Sequence, residues 1–214
     1  MQDNFKQLGI SQEILKAIED MGFSDPTQVQ SKSIPIILNN RDVIVKSKTE
    51  SGKTAVFGIP MLDMITPGGK YPQGLILTPT RELTVQVEND LKLMSKYLQH
   101  KITSVYGQHN INAEITELRK GVDIISGTPG RVYDHLENGN LSTSNIKFLV
   151  LDEADRMLDM GFLPQVVRII KSIPKERLTL LFSATIPDDI KRISREFMNN
   201  PEIIEISSET KTVD

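Results

Sequence analysis

A chain of 214 residues, with 38% hydrophobic and 25% charged residues, is long enough to bury one core and has the composition of an ordinary soluble domain. The absence of cysteine excludes disulfides and thiolate metal sites, and His100, His109 and His135 lack ligand spacing, which favours solvated or structural roles. The net charge of -3 predicts no long-range attraction to a polyanion, so any nucleic-acid contact must come from local groups.

The sequence also bears on location. No stretch approaches the roughly 18 apolar residues of a membrane span, and residues 1–4 lack the basic and then apolar pattern of a secretory signal. We therefore expect a cytoplasmic protein with no membrane contact.

Short apolar runs with helical stretches between them predict the strands of an α/β fold. Because the runs are apolar on both faces, we expect a mostly parallel sheet of about seven strands with helices on both sides. The runs are Val43 to Val45, Leu75 to Leu77, Ile102 to Tyr106, Asp123 to Ile125, Phe148 to Leu151, Leu178 to Phe182 and Ile203 to Ile206.

The spacing of apolar residues and the positions of helix-ending or polar residues predict the helix boundaries and the domain limits. Apolar residues at three- and four-residue steps predict a helix over Glu82 to Tyr97. Asn39-Asn40 is expected to end a helix that begins near Thr27. We predict one domain over residues 1–207, with the polar residues 208–214 as a linker start or frayed end.

The segment Ser47 to Thr54, with the sequence SKTESGKT, follows the first predicted strand. A helix beginning at Gly52-Lys53-Thr54 would turn its N–H groups and dipole toward a phosphate, Lys53 toward the β and γ phosphates, and the Thr54 hydroxyl toward Mg²⁺. A bare G-K-T triplet is equally compatible with an ordinary helix start and a solvated lysine.

Asp152 and Glu153 directly follow the predicted strand Phe148 to Leu151. At the end of a buried strand, Asp152 can hold Mg²⁺ while Glu153 orients and deprotonates an attacking water. The alternative is an acidic cap on the following helix, where carboxylates meet the helix dipole favourably. The phosphate-loop pattern favours the metal interpretation.

Small hydroxyl residues, Ser183 and Thr185, follow the predicted strand Leu178 to Phe182. They could hydrogen-bond the carboxylates across the end of the sheet. A simple helix N-cap before Pro187 is equally compatible with this pattern.

Two further segments, Thr78 to Glu82 and Gly127 to Arg131, each follow a strand and begin a helix. Side by side at one sheet edge, their hydroxyls, N–H groups and arginines would suit the phosphates of a nucleic-acid backbone. A pair of well-capped helices with salt-bridged arginines explains them equally well.

Taken in order, these motifs resemble the DEAD-box RNA helicases, whose name Asp152-Glu153-Ala154-Asp155 spells. The resemblance covers nearly the whole chain. The sequences in and around the motifs are similar to those of bacterial members of the DbpA/YxiN type, which act in ribosome assembly. The family pattern is matched by Phe5, Gly22-Phe23, Pro26-Thr27, Gln30, Gly52 to Thr54, Pro79 to Leu83, Thr128 to Arg131, Asp152 to Asp155 and Ser183 to Thr185.

The resemblance implies ATP and Mg²⁺ as cofactors and an RecA-like P-loop NTPase domain. Gln30 would read the adenine edge and Phe5 would stack on the ring. Thr54 and Asp152 would hold the metal, partly through water, and Lys53, Asp152, Glu153, Ser183 and Thr185 would form the catalytic set. The implied nucleotide-binding residues are Phe5, Phe23, Thr27, Gln30, Ser47, Lys48, Thr49, Glu50, Ser51, Gly52, Lys53 and Thr54.

The implied partner is single-stranded or duplex RNA, a structured RNA such as ribosomal RNA, held through its backbone and therefore read with little sequence preference. The implied RNA contacts are Pro79, Thr80, Arg81, Gly107, Thr128 and Arg131. Gly107-Gln108 departs from the family's paired glycines at this point, which weakens one expected close approach to RNA.

Glu50 is the larger departure, because this position of the loop usually holds glycine. A carboxylate about 6 Å from one phosphate charge, at an effective dielectric near 20, would repel it by about 3 kcal/mol, roughly a hundredfold in affinity. Pairing with Lys46 or Lys48, or a solvent-facing side chain, would relieve the repulsion. We expect adenine nucleotide to bind, but more weakly than to a glycine-bearing loop.

The resemblance also implies a second RecA-like domain that closes over ATP and RNA, and nothing after Ser183 to Thr185 resembles it. We therefore expect an ATP-dependent RNA helicase represented by its first half, with negligible unwinding by this part alone. The rival hypothesis is a non-catalytic RNA-binding scaffold whose nucleotide site is weakened by Glu50.

Overall fold

All the apolar runs predicted as strands are strands in the computed structural model, which describes residues 4–49 and 52–207. The run Phe148 to Leu151 has the predicted bounds, and the bounds of the other runs differ from the predicted ones by one or two residues. The strands are β1 (Val43–Ser47), β2 (Gly74–Leu77), β3 (Ile102–Val105), β4 (Ile124–Gly127), β5 (Phe148–Leu151), β6 (Leu178–Ser183) and β7 (Glu202–Ile206).

The described strands form one seven-stranded sheet in the order β3-β4-β2-β5-β6-β1-β7. Every neighbouring pair runs parallel. The central strands are buried on both faces, as expected for a parallel sheet. The edge strand β7 is partly exposed, and Ile203 is 67% exposed. The predicted α/β fold class is confirmed, and the sheet is entirely parallel.

Helices of the described ranges cover both faces of the sheet. A short 3-10 helix spans Phe5–Leu8. The α-helices are α1 (Gln12–Asp20), α2 (Gln28–Leu38), α3 (Lys53–Met64), α4 (Arg81–Met94), α5 (Ile111–Arg119), α6 (Pro129–Glu137), α7 (Ala154–Asp159), α8 (Leu163–Ser172) and α9 (Asp188–Phe197).

Two apolar cores lie on the opposite faces of the sheet. Val43 and Val45 of β1 join the core beneath α1 to α4, whereas Ile44 joins the core beneath α6 to α9. This alternation follows from the two-residue period of a strand. In the first core the rings of Phe57 and Phe182 meet edge to face, 5.5 Å between centroids, and fix α3 against β6.

The helix predicted over Glu82 to Tyr97 ends earlier than expected, at Met94. Ser95 follows it as the C-cap residue and donates its hydroxyl to the carbonyl of Lys92 at 3.3 Å. Lys96 then turns to Asp20 of α1, with 2.9 Å between Nζ and Oδ2. The apolar periodicity therefore continues beyond the last helical residue. Within the described ranges, no helix combines the length and apolar character needed to cross a membrane.

Candidate functional site

The carboxyl ends of the paired strands lie at one edge of the sheet, because the strands run parallel. β1 leads into the phosphate loop (residues 47–54), β5 leads into Asp152 and Glu153, and β6 ends at Ser183 between them. Two strand spacings, about 10 Å, therefore separate the start of the loop from the acidic pair. The sheet brings together the groups that the sequence predicts for phosphate and metal binding.

β2, β3 and β4 form the adjacent half of the same edge. We call the segments that follow them the first corner (residues 78–82), the second corner (residues 106–110) and the third corner (residues 127–131). β2 and β4 are direct neighbours, as the sequence analysis expected of the first and third corners.

The phosphate loop begins at a buried serine. Ser47 is 2% exposed, and its Oγ lies 3.0 Å from Thr49 Oγ1 and accepts a hydrogen bond from Thr49 N–H. Lys48 and Thr49 are exposed. Lys46, a suggested partner for Glu50, is paired with Glu205 of β7 at 3.1 Å. Glu50 and Ser51 lie outside the described residues.

Gly52 lies in the loop directly before α3 and is the N-cap of that helix, with a φ of 81°. A Cβ at this position would lie 2.7 Å from Gln30 Nε2. Both the left-handed backbone and the close approach require glycine. α3 then begins at Lys53, as predicted, with Lys53 only 9% exposed and Thr54 half-buried in the first turn.

Gln30 joins the start of α2 to the phosphate loop. Its Oε1 accepts from Thr27 N–H at 2.9 Å, while Thr27 Oγ1 accepts from Gln30 N–H, which completes a capping box. Its Nε2 donates to the carbonyl of Gly52 at 3.2 Å. The sequence analysis missed this link, although the Thr-x-x-Gln spacing signals a side chain folded back to the helix start.

The two aromatic residues predicted for the nucleotide differ in accessibility. Phe5 is 5% exposed and stacks on Phe23 with 6.4 Å between ring centroids. Phe23 is half-buried and lines a cavity of about 200 Å³ together with Gly52 and Thr54. Accessible ring surface beside the phosphate loop therefore belongs to Phe23, while stacking by Phe5 stays a prediction.

Asp152 and Glu153 have different environments at the end of β5. Asp152 is 4% exposed. Glu153 adopts the left-handed region, with φ 50° and ψ 53°, and its carboxylate lies 3.2 Å from Arg156 NH1. Strained non-glycine backbone of this kind concentrates at functional sites.

Asp155 makes the contact to β6 that the sequence analysis left open. Its Oδ2 accepts from Thr185 N–H at 3.0 Å and from Thr185 Oγ1 at 2.9 Å, and Ser183 Oγ accepts from Asp155 N–H at 3.1 Å. Thr185 therefore bonds a carboxylate across the sheet end, and Ser183 bonds the backbone N–H of the same residue. They do not cap α9, whose N-cap Pro187 makes no side-chain hydrogen bond.

The donor set fits a magnesium ion that takes part of its coordination from elsewhere. Asp152 offers a buried carboxylate and Thr54 a hydroxyl, which are hard oxygen ligands. Over the described ranges, no group of three or more histidine or acidic side chains is arranged to hold a metal. Magnesium commonly uses one or two carboxylates together with waters and substrate phosphates.

Both predicted arginines of the corners are engaged. Arg81 is exposed, with its Nε 2.9 Å from Glu82 Oε1 and its NH1 2.8 Å from Gln108 Oε1. Thr80 caps α4 by accepting from Leu83 N–H, whereas Thr128 makes no side-chain cap. Pro79 is buried and Gly107 is exposed.

Glu114 of α5 links the second and third corners, a contact that the sequence analysis missed. Glu114 is 2% exposed. Burial alone would raise the pKa of its carboxyl group, but the hydrogen bonds from four donors outweigh this effect and lower the pKa to about 2. Because the donors lie far apart in sequence, no local pattern signals the network. The donors are Tyr106 N–H, His109 Nδ1, Arg131 NH1 and His135 Nε2.

All three histidines make hydrogen bonds within the protein, and two of them share this one carboxylate. His135 is fully buried, with its Nδ1 3.3 Å from Asn140 Nδ2. His100 Nε2 lies 2.7 Å from the carbonyl of Ile65.

A larger cleft, of about 760 Å³, opens at the opposite edge of the sheet between Arg41, Lys147 and Arg177. None of the predicted site residues lines it. The convergence of functional groups, rather than cavity size, therefore identifies the candidate site.

Comparison with known proteins supports the arrangement. The family model described as DEAD/DEAH box helicase matches residues 27–193. The chain is 48% identical to the ATP-dependent RNA helicase DbpA of Bacillus subtilis, over 96% of this chain and 43% of that protein. It is 44% identical to the DEAD-box ATP-dependent RNA helicase CshA of Geobacillus kaustophilus, over 98% of this chain and 45% of that protein.

A solved structure has the same fold. The crystal structure of a DEAD box protein from Methanococcus jannaschii superposes with a TM-score of 0.90 at 39% identity, covering 95% of this chain and 56% of that one. The chain spans less than half the length of the two curated relatives. Since DbpA and CshA match at similar identity, the DbpA type stays a prediction.

Proposed function

The chain belongs to the DEAD/DEAH box helicase family, and from that membership we propose that it is the nucleotide-binding part of an ATP-dependent RNA helicase. In the proposed activity, ATP hydrolysis is coupled to RNA binding and local unwinding of a duplex. One observation carries the proposal: the phosphate loop, the Ser183–Thr185 segment and the acidic pair end three successive parallel strands, β1, β6 and β5.

The nucleotide would lie along the phosphate loop. Lys53, at the N-terminus of α3, would bind the β and γ phosphates together with the free N–H groups of that turn. The Gln30 amide, which has two hydrogens and two lone pairs, retains capacity for the adenine edge beyond its two internal bonds. Phe5, predicted to stack on the base, and Phe23, which stacks on Phe5, would form the aromatic part of the base site.

Hydrolysis would use the carboxylates at the end of β5. Thr54 and Asp152 would hold Mg²⁺, which when bound neutralises charge on the phosphate oxygens. Glu153 would orient a water and take its proton as the water oxygen bonds to the γ phosphorus and the bond to the leaving β-phosphate oxygen breaks. Asp155, bonded to Thr185, would keep this end of β5 in register with β6.

RNA would lie across the three corners. Helix N-termini with free N–H groups suit phosphates, so the contact would be directed at the backbone and largely independent of base sequence. Ribosomal RNA as the target and a cytoplasmic location stay predictions. The proposed RNA contacts are Pro79, Thr80, Arg81, Gly107, Thr128 and Arg131.

A second RecA-like domain would close over ATP and RNA and supply arginines to the transferring phosphoryl group. The decisive experiment is ATP hydrolysis by the full-length protein, with and without RNA. We expect hydrolysis that RNA stimulates and that Glu153→Gln abolishes. RNA binding without hydrolysis would instead support the scaffold hypothesis.

A further inference from the structure

One buried carboxylate joins two of the three corners. Glu114 Oε2 accepts from the second corner, from Tyr106 N–H at 3.0 Å and His109 Nδ1 at 2.9 Å. Its Oε1 accepts from α6, from Arg131 NH1 and His135 Nε2, both at 2.8 Å. A buried carboxylate tolerates desolvation when all its lone pairs are occupied in this way.

Arg131 is therefore held inside the protein rather than displayed as a free surface cation. Its side chain is 13% exposed, and its NH1 also donates to the carbonyl of His109 at 3.3 Å. Arg81 of the first corner has a side chain that is 55% exposed and bonds Gln108 of the second corner. The second corner thus contacts both of the other corners through arginines.

Resting on the RNA-binding function proposed above, we propose that Glu114 is a positioning residue that fixes the second corner and Arg131 for RNA. The four donors hold the loop that contains Gly107 and Gln108 in one arrangement, together with the start of α6. Ordering this surface before RNA arrives reduces the entropy lost on binding. RNA affinity then depends on a negative charge that lies beside a polyanion site.

The positioning role and simple electrostatics predict different effects of Glu114→Gln on RNA affinity. If Arg131 acted as an independent cation, removing the nearby anion with Glu114→Gln would leave RNA binding unchanged or strengthen it. If Glu114 positions the corners, the same substitution weakens binding, because a glutamine amide cannot accept from donors on both sides.

The test compares variants for binding to a short single-stranded oligouridylate in the presence of ADP, at fixed salt. We expect Glu114→Gln to weaken RNA binding by about tenfold. Glu117→Gln, which removes the same charge from an exposed position of α5 paired with Lys120, should not weaken it. RNA binding by Glu114→Gln at or above the wild-type level would overturn the proposal.

Two measurements separate positioning from unfolding. ADP affinity should be unchanged in Glu114→Gln, since the nucleotide half of the edge lies on other strands. His109→Ala, which breaks only the more exposed part of the network, should weaken RNA binding by about threefold. If Glu114→Gln does not fold, unchanged RNA binding by His109→Ala overturns the proposal.

The failure of the positioning role is distinguishable from the failure of the proposed function. Wild-type chain that binds ADP but no RNA would contradict RNA binding itself. Wild-type chain that binds RNA, with Glu114→Gln binding equally well, would contradict only the positioning role.

Discussion

Gln30 and Gly52 are joined by a hydrogen bond, in which Nε2 of Gln30 donates to the carbonyl of Gly52 over 3.2 Å. The bond ties the start of α2 to the end of the phosphate loop. The residue proposed to read adenine therefore also holds the residue that precedes Lys53. Base recognition and phosphate binding share one structural link.

Replacing Gln30 by alanine should weaken ADP binding by at least about tenfold, because it removes both the proposed adenine contact and the support of Gly52. Isothermal titration calorimetry measures this change. Gln28→Ala is the matched control, since Gln28 is exposed at the first position of the same helix and should bind ADP normally. Equal loss in both variants would show that α2 stability, not the Gln30 amide, sets the affinity.

Replacing Gly52 by alanine should lower both stability and ADP affinity. The left-handed backbone costs about 1–2 kcal/mol for a residue with Cβ. The new Cβ would also lie only 2.7 Å from Gln30 Nε2, so the Gln30 side chain would have to move away. Gly68→Ala is the control, because Gly68 has φ 91° and no neighbour within 4 Å of the added Cβ. Urea denaturation should show similar strain in both variants, and calorimetry should show an ADP defect in Gly52→Ala alone.

Glu50→Gly tests the predicted charge penalty in the phosphate loop. Repulsion of about 3 kcal/mol predicts roughly hundredfold tighter ADP binding once the carboxylate is removed. Glu50→Gln separates charge from backbone freedom, since it removes the charge and keeps the side chain. Equal ADP affinities for the wild type and Glu50→Gly would contradict the penalty.

The pH dependence of stability should carry the signature of Glu114. Its folded pKa is lowered from 4.5 to about 2, so its contribution is fully present above about pH 4.5 and is lost as the pH falls toward 2. A pKa shift of this size corresponds to a contribution of about 3 kcal/mol to the free energy of unfolding.

Urea denaturation of the wild type and Glu114→Gln between pH 7 and pH 3 measures this contribution. The difference in free energy of unfolding should shrink as the pH falls. A difference that is constant with pH would mean that Glu114 does not titrate with a lowered pKa.

The strands and the functional edge were predictable because they depend on local patterns. Val43 to Val45 and Phe148 to Leu151 are apolar on both faces, and the residues after them carry the chemistry. In a parallel sheet, such residues must meet at one edge. The order of the strands, including β6 between β1 and β5, depends on the chain crossovers, and no local sequence pattern predicts it.

Contacts between distant segments could not be predicted in the same way. α4 ends at Met94, and Lys96 just after it pairs with Asp20 of α1, a contact between residues 76 positions apart. Glu114 looks like an ordinary solvated helix residue in the sequence, yet it is buried by groups from a loop and another helix. These features arise from tertiary packing, which overrides local propensity.

The central claim is that the phosphate loop and the carboxylate at the end of β5 form one nucleotide site. Calorimetric titration with a non-hydrolysable ATP analogue, with and without Mg²⁺, tests it most directly. We expect Mg²⁺ to strengthen binding in the wild type, Lys53→Ala to weaken binding under both conditions, and Asp152→Asn to remove the effect of Mg²⁺. Equal affinity and an equal effect of Mg²⁺ in all three proteins would contradict the claim.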